Sequence, residues 1–489
     1  TTLGREVPRG IENDTSQVIA CVMLPEAERP VADWTPADEI AALPGVDEVV
    51  VTCRTGRTSG YRHSSVGSGY VVFHADADDV TASATRGVLQ VGLRMTGVLI
   101  LQQPSSSSPV DHWLLQADPR ADLTLITGPR SVRRGEYAEG VKVVEAKDYF
   151  SPETMTIAYD EAQAMGADRI VSNAEQDVLR VAEVRDALGL PGMSARTALA
   201  FRDKLMMKRL FANAGLGAAP ASAVRCVGDI VALTREHGRG VVKPLDGMGA
   251  KGLVTIDADA RHADVLAAVT PVLDDLHAGR LMWEKYVVGD GLHCDVTLSG
   301  SGIKTFSVSR TLAPPGAYAT HNYTSYTLDK SDPTYPEARR CVEHLVESLP
   351  RDHGATMLHF ELFESPNGSG VTAGEVGARM GGGGIRAAVR EATGRDLARE
   401  GYLLAAGLGD AITPTPPPET SAGWMLFTAV VPALGDPLPE WVASTWTRPR
   451  TTAEPQHSVD AVGGMIVRAN SSAELRRALE SIEWRTESG

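Results

Sequence analysis

The sequence predicts a multidomain chain, α/β in its first part and α+β beyond it. Three observations carry this. At 489 residues the chain exceeds what one core organises, since domains run to ~100–200 residues each. Up to about residue 200, short β-branched runs alternate with helical segments, the pattern of a parallel sheet with covered faces. From Phe201 onward the texture turns to strand pairs, Gly-rich turns and amphipathic helices.

Taken in order, residues 17–24 (QVIACVML) and 47–53 (DEVVVTC) read as strands. Between them, Thr35 and Pro36 supply an N-cap and a first helical position. Residues 54–69, rich in Gly, Ser and Arg, form a loop, either a lid over something anionic or a disordered insertion. Residues 97–103 are a strand, and 104–109 (PSSSSP) a flexible break. A second α/β section has strands at 121–127, 141–145 and 168–172, with Ser151 capping the helix before the last. Ligands usually collect at the carboxyl ends of such strands. Residues 414–418 (PTPPP) are a stiff linker. Beyond it come strands at 424–431 and 464–467, then a helix opened by the capping box Ser471-x-x-Glu474. The expected units are 1–120, 121–200, 201–410 (with a lid at about 219–287) and 411–489.

Composition narrows the class. Against 47 basic residues stand 62 acidic ones, a net charge of −15, which argues against a general nucleic-acid or anionic-membrane binder. Cys21, Cys53, Cys226, Cys294 and Cys341 are scattered, with no C-x-x-C pair, and read as reduced thiols of a cytoplasmic protein. No stretch approaches ~18 uninterrupted apolar residues, and the start TTLGREVPRG has no apolar signal core.

Four segments carry chemistry. In VVKPLDGMGAKG a strand ends at Lys243 and a loop holds Gly247, Gly249 and Gly252 around Ala250 and Lys251. Glycines let successive N–H groups converge on phosphate oxygens, although a hairpin turn with an exposed lysine has the same spelling. FRDK places Lys204 at the start of an amphipathic helix, where its charge could equally be a solvated face. The strand-to-turn segment WEKYVVG can offer backbone groups to a purine edge, with Glu284 accepting from an exocyclic amine. The most specific segment is LHFELF followed by EVGARMGGGG. With SPNGSG as the turn, Glu361 and Glu375 face one another across neighbouring strands. Two carboxylates in a mostly buried sheet call for a cation, and hard oxygen donors suit Mg²⁺. The bland alternative is two exposed hairpin carboxylates, which does not explain a Glu interrupting an apolar strand. Arg379 follows, then four glycines (among them Gly381, Gly382 and Gly383) that let a substrate approach the backbone. His293 could line a substrate pocket or a solvated loop.

The order of these segments, over roughly residues 168–389, resembles the ATP-grasp superfamily, and most closely the L-amino acid ligases, with their H-x-E-L strand and E-V-G-A-R-x-G-G segment. The resemblance implies an α/β region preceding an ATP-grasp fold in which two α+β subdomains hold ATP between them. It implies that Lys204 and Lys243 hold phosphates under the glycine loop and that Glu284, Lys285, Tyr286 and Val287 grip adenine. It further implies that Glu361 and Glu375 bind Mg²⁺ (Mn²⁺ could substitute), that Arg379 stabilises the reacting centre, and that Glu175 meets the amine-side substrate. Two departures stand out: Gly377 where many relatives have Asn, and Gly291 where an acidic residue is common. The expected activity is amide formation between amino acids or related amines through an acyl phosphate. Rival readings keep the site for another acid or bicarbonate, or make the chain a non-catalytic nucleotide binder. Partners would be small molecules only, neither nucleic acid nor membrane. Residues 1–120 carry no resemblance and could shape substrate choice or an oligomer interface, a homodimer in the simplest case.

Overall fold

The computed structural model describes residues 17–23, 46–51, 69–76, 97–106, 108–172, 174–249, 251–300, 302–312, 323–350, 353–368, 370–413, 420–427, 431–432, 437–447, 461–482 and 484–485. Contacts divide the chain into two units, Thr1–Val98 with Ala162–Asp168, and Leu99–Glu161 with Arg169–Gly489. The helix expected at Thr35, the loop at 54–68, Cys53 and the 414–418 linker lie outside the described residues.

In the first unit, β1 (Gln17–Met23), β2 (Val46–Val51) and β3 (Gly69–Asp76) form one sheet in the order β1-β3-β2. Both pairings are antiparallel, with Gln17 opposite Asp76 and Met23 opposite Tyr70. This departs from the parallel arrangement expected for the section. The sequence reading had ended on residue 69 as loop and passed over β3, whose GYVVFHAD run supplies the antiparallel partner of both neighbours.

In the second unit, β4 (Val98–Leu101), β5 (Leu123–Thr127), β6 (Lys142–Glu145) and β7 (Arg169–Val171) build a sheet in the order β6-β5-β4-β7. β5 and β6 run parallel, and every residue of β4 and β5 is buried, as covered faces require. The segment 98–101, expected before a boundary at 120, therefore belongs with the strands that follow it.

Next come β8 (Ala221–Val224), β9 (Gly240–Pro244), β10 (Val254–Ile256) and β11 (Leu281–Lys285), an antiparallel sheet in the order β10-β9-β11-β8. The helices Val227–His237 and His262–Val269 cover it, burying Ile230, Val242, Val265, Leu281 and Trp283 in one cluster. Trp283 also donates to Thr234 Oγ1 at 3.1 Å, so its indole N–H is satisfied inside the core.

The largest sheet joins β12 (Asp290–Ser299), β13 (Gly302–Thr311), β14 (Tyr323–Thr327), β15 (Met357–Glu364), β16 (Val371–Gly377) and β17 (Ser421–Phe427). After the short β18 (Val431–Pro432) it takes in β19 (Val442–Thr447) and β20 (Gly463–Ala469), in the order β16-β15-β12-β13-β14-β17-β20-β19. The C-terminal strands thus continue this sheet rather than closing a module of their own; all seven residues of β17 are buried, which requires neighbours on both edges. The final helix, Ser472–Glu480, is opened by Ser471 Oγ, which accepts from Glu474 N–H at 3.2 Å. Among the described residues no helix is long and apolar enough to cross a membrane.

Candidate active site

The first four residues of β15 are buried and Glu361 interrupts the run: its neighbours Phe360 and Leu362 are buried while its own side chain is 49% exposed. The turn to β16 closes with Ser365 N–H donating to Gly370 O at 3.0 Å and Gly368 N–H donating to Ser365 O at 2.9 Å. That turn sets the register as far as Leu362 opposite Ala373, and a bulge at Gly374 then brings Glu361 opposite Glu375. On the other sheet, Lys243 of β9 faces Met282 of β11, so Glu284 lies diagonally on the same face. Lys243 Nζ reaches Glu284 Oε2 at 2.5 Å and Glu375 Oε1 at 2.7 Å.

The helix Lys204–Asn213 completes the cluster. Asp203 caps it, accepting from Leu205 and Met206 N–H at 2.9 Å each. Lys204 is buried and reaches Glu375 Oε2 at 3.2 Å and Gly247 O at 2.6 Å. One turn on, Lys208 pairs with Glu284 and donates to Gly374 O at 2.7 Å. Three ammonium groups thus converge on two carboxylates. Burial alone would raise the pKa of Glu375, but Lys243 and Lys204 outweigh it and hold the carboxyl well below its usual range. Burial would lower Lys243, yet Glu375 and Glu284 hold it above the usual lysine range. For Lys208 burial prevails over Glu284 and the pKa is lowered.

A cavity of about 980 Å³ opens beside this cluster, lined by Lys243, Glu284 to Gly291, Glu361 and Glu375 among others. Tyr286 is held at its wall by Arg239, whose guanidinium lies 4.4 Å from the ring centroid. Glu284 lines the cavity together with Lys285, Tyr286 and Val287, and its carboxylate is held by Lys208 and Lys243. In the glycine loop, Gly249 and Gly252 adopt positive φ (63° and 73°), which strains any L side chain. Lys251 is exposed and makes no ion pair with the cluster, and Ala250 lies outside the described residues.

A second constellation lies along β12, β15 and the segment after β16. Arg379 Nε donates to Glu175 Oε2 at 2.5 Å, and Arg202 pairs with the other oxygen, Oε1. Burial would raise the pKa of Glu175, but the two guanidiniums lower it. Gly377 keeps room for this pair, since a Cβ there would sit 3.0 Å from Glu175 Oε2. The other departure, Gly291, is equally enforced: a Cβ would meet Thr311 Oγ1 at 2.5 Å. His293 lies deep in the sheet rather than on a loop. Its Nδ1 is 2.9 Å from Asp295 Oδ2 and its Nε2 is 2.7 Å from Ser325 Oγ. Asp295 Oδ1 meets His359 Nδ1 at 2.8 Å and accepts from Gly381 N–H at 3.2 Å. His359 Nε2 is 3.9 Å from Glu361 Oε1, joining the two constellations. Gly382 is exposed, and Gly383, at φ 65°, packs where a Cβ would be 2.8 Å from Trp424.

Sequence reading missed Lys208, Arg202, Asp295 and Ser325. Two of them had a signal. Lys208 is four residues after Lys204, on the same helix face, and Asp295 is two after His293, on the same strand face.

No protein-family model matches the chain. An L-arginine-specific L-amino acid ligase of Bacillus subtilis is 28% identical over 221 residues, 45% of this chain and 52% of that protein. The chain thus spans about half the length of that curated relative. Among solved structures, an L-amino acid ligase from Bacillus licheniformis superposes with a TM-score of 0.59 at 17% identity, covering 80% of this chain and 99% of that one. An N5-carboxyaminoimidazole synthetase from Staphylococcus aureus, complexed with ADP, gives 0.57 at 15% identity, covering 79% and 96%. A phosphoribosylglycinamide synthetase from Anaerococcus prevotii gives 0.55 at 12%, covering 80% and 99%. The architecture common to these neighbours runs through most of the chain, which has the ATP-grasp fold and is similar in sequence to an L-amino acid ligase over 45% of its length.

Proposed function

We propose that the chain is an ATP- and Mg²⁺-dependent carboxylate–amine ligase that joins two amino acids, or an amino acid and a related amine. The observation that supports this best is the convergence of Lys204, Lys208 and Lys243 on Glu375 and Glu284, with Glu361 opposite Glu375 at the rim of one cavity. The donor set fits the expected metal: Glu361 and Glu375 offer hard carboxylate oxygens from adjacent strands, the chemistry Mg²⁺ prefers. Bound there, Mg²⁺ would neutralise charge on the phosphates and on the group being transferred. The lysines would share a triphosphate with the carboxylates they now hold, and the loop from Gly247 to Gly252 would close over it. Backbone groups of Lys285, Tyr286 and Val287 would face the base. In this reading a substrate carboxylate takes the γ-phosphoryl group to give an acyl phosphate, and the amine then attacks its carbonyl carbon. Arg379, partly buried beside Glu175, would stabilise the oxyanion of that second step.

The test is phosphate release with ATP and Mg²⁺ across pairs of amino acids, L-arginine included, with the product weighed by mass spectrometry. Release that requires both an acid and an amine, with an amide product, is expected. Release driven by bicarbonate or by a non-amino acid carboxylate would replace the substrate assignment and leave the nucleotide site standing.

A further inference from the structure

Three consecutive carbonyl oxygens at the root of the glycine loop are gripped by one short segment of chain. Lys204 N–H donates to Leu245 O at 3.0 Å. Arg202 Nη2 donates to Asp246 O at 2.6 Å, and Lys204 Nζ donates to Gly247 O at 2.6 Å. Arg202 also reaches elsewhere. Its Nη1 meets Glu175 Oε1, while Glu175 Oε2 meets Arg379. Arg379 in turn donates through Nη1 to Met380 O at 2.8 Å, directly before the four glycines. An unbroken line of charge-assisted hydrogen bonds therefore runs from the glycine loop to the glycine run. The Arg202 and Glu175 side chains are each only 12% exposed, so water does not replace that contact cheaply. A guanidinium presents its two terminal nitrogens in a fixed plane, so Arg202 holds the carboxylate through one and the loop carbonyl through the other.

We propose that Arg202 is a positioning residue that couples the glycine loop to the Glu175–Arg379 pair, so that seating either one stabilises the other. The proposal rests on the ligase reading, in which the loop covers phosphates and Arg379 faces the reacting carbonyl. Its consequence is order: the loop settles fully only when Arg379 stands in place, which limits loss of an activated acyl group to water. Coupling needs differential contact with both partners, and Arg202 touches both.

Hydrogen exchange on the full chain decides it. Glu175→Gln keeps the shape of the side chain and does not touch the loop, yet it should speed exchange of the loop amides near 246–252 about 5-fold. Arg202→Met should do the same at the loop and at residues 378–383. Arg202→Lys should restore only part of the protection, because its one nitrogen cannot occupy the two positions that Nη1 and Nη2 hold. Wild-type loop exchange in Glu175→Gln, or full rescue by Arg202→Lys, overturns the coupling whatever the activity. A second readout is the ratio of phosphate released to amide formed, expected to rise in both Arg202 variants while the wild type stays at one to one. Failure of the wild type to form any amide would count against the ligase reading alone, since the exchange measurements need no turnover.

Discussion

Glu361 and Glu375 stand opposite one another, yet their surroundings set them apart. Glu375 is clamped by Lys243 and Lys204, whereas Glu361 is half exposed, with His359 Nε2 3.9 Å from its carboxylate. Replacing either by Ala should cut ATP turnover by ~10²-fold or more, as removal of a key electrostatic group does. Thermal unfolding should separate them. Glu361→Ala should stay within about 0.5 kcal/mol of wild type, as exposed positions do, while Glu375→Ala leaves Lys204 without a carboxylate and Lys243 with Glu284 alone, and should cost about 3 kcal/mol. Undiminished turnover in either variant would remove the metal assignment. The pH dependence follows from the same contacts. Glu375 titrates below the ordinary carboxylate range, so its contribution to stability is present above that range and is lost as pH falls through it. Lys243 is raised, so its contribution is full below the ordinary lysine range and is lost only as pH rises beyond it. Between these limits the cluster should hold its charge pattern.

At the scale of elements, the final helix is fastened through one carboxylate. Asp329 Oδ2 accepts from both Ser472 N–H and Ser472 Oγ–H at 2.9 Å. Burial would raise its pKa, but the hydrogen bonds from Ser331 and Ser472 hold it at about 2 against an ordinary 3.8. The stability this gives is full above the ordinary value and fades as pH drops towards 2. Asp329→Asn should cost about 1 kcal/mol at neutral pH, the usual worth of a helix cap, with the gap to wild type closing in acid; an equal gap at all pH would refute the assignment. Elements of this kind were partly legible beforehand. The Ser471 cap and the turn at 365–370 follow from local spelling, because turns and caps are written within a few residues, whereas the bulge that brings Glu361 opposite Glu375 does not. The contact of Glu284 with Lys243 had no local spelling, because only the pairing of β9 with β11, across an intervening helical stretch, brings the two together. The Asp295 network joins four segments of the chain and has no local spelling at all.

For the whole molecule, nucleotide binding should be visible without any turnover. A ligand at ~100 times its dissociation constant adds about 2.7 kcal/mol to the folded state, so MgATP should raise the unfolding temperature. Lys243→Ala should abolish that rise, whereas Lys251→Ala should keep it, since Lys251 stands outside the cluster. A rise that survives Lys243→Ala would place the nucleotide elsewhere.

Ala422, Trp424 and Leu426 of β17 share a core with the helix Ile385–Thr393 that follows the four glycines, and β17 pairs with β14 along four residues. The tail is therefore masonry, not ornament. Recombining it with the end of a related enzyme, to borrow that enzyme's appetite for a different amino acid, would tear the floor from beneath Gly383 and Gly384. Chimeras that join at the 365–370 hairpin, or exchange single side chains around the cavity, leave that floor standing.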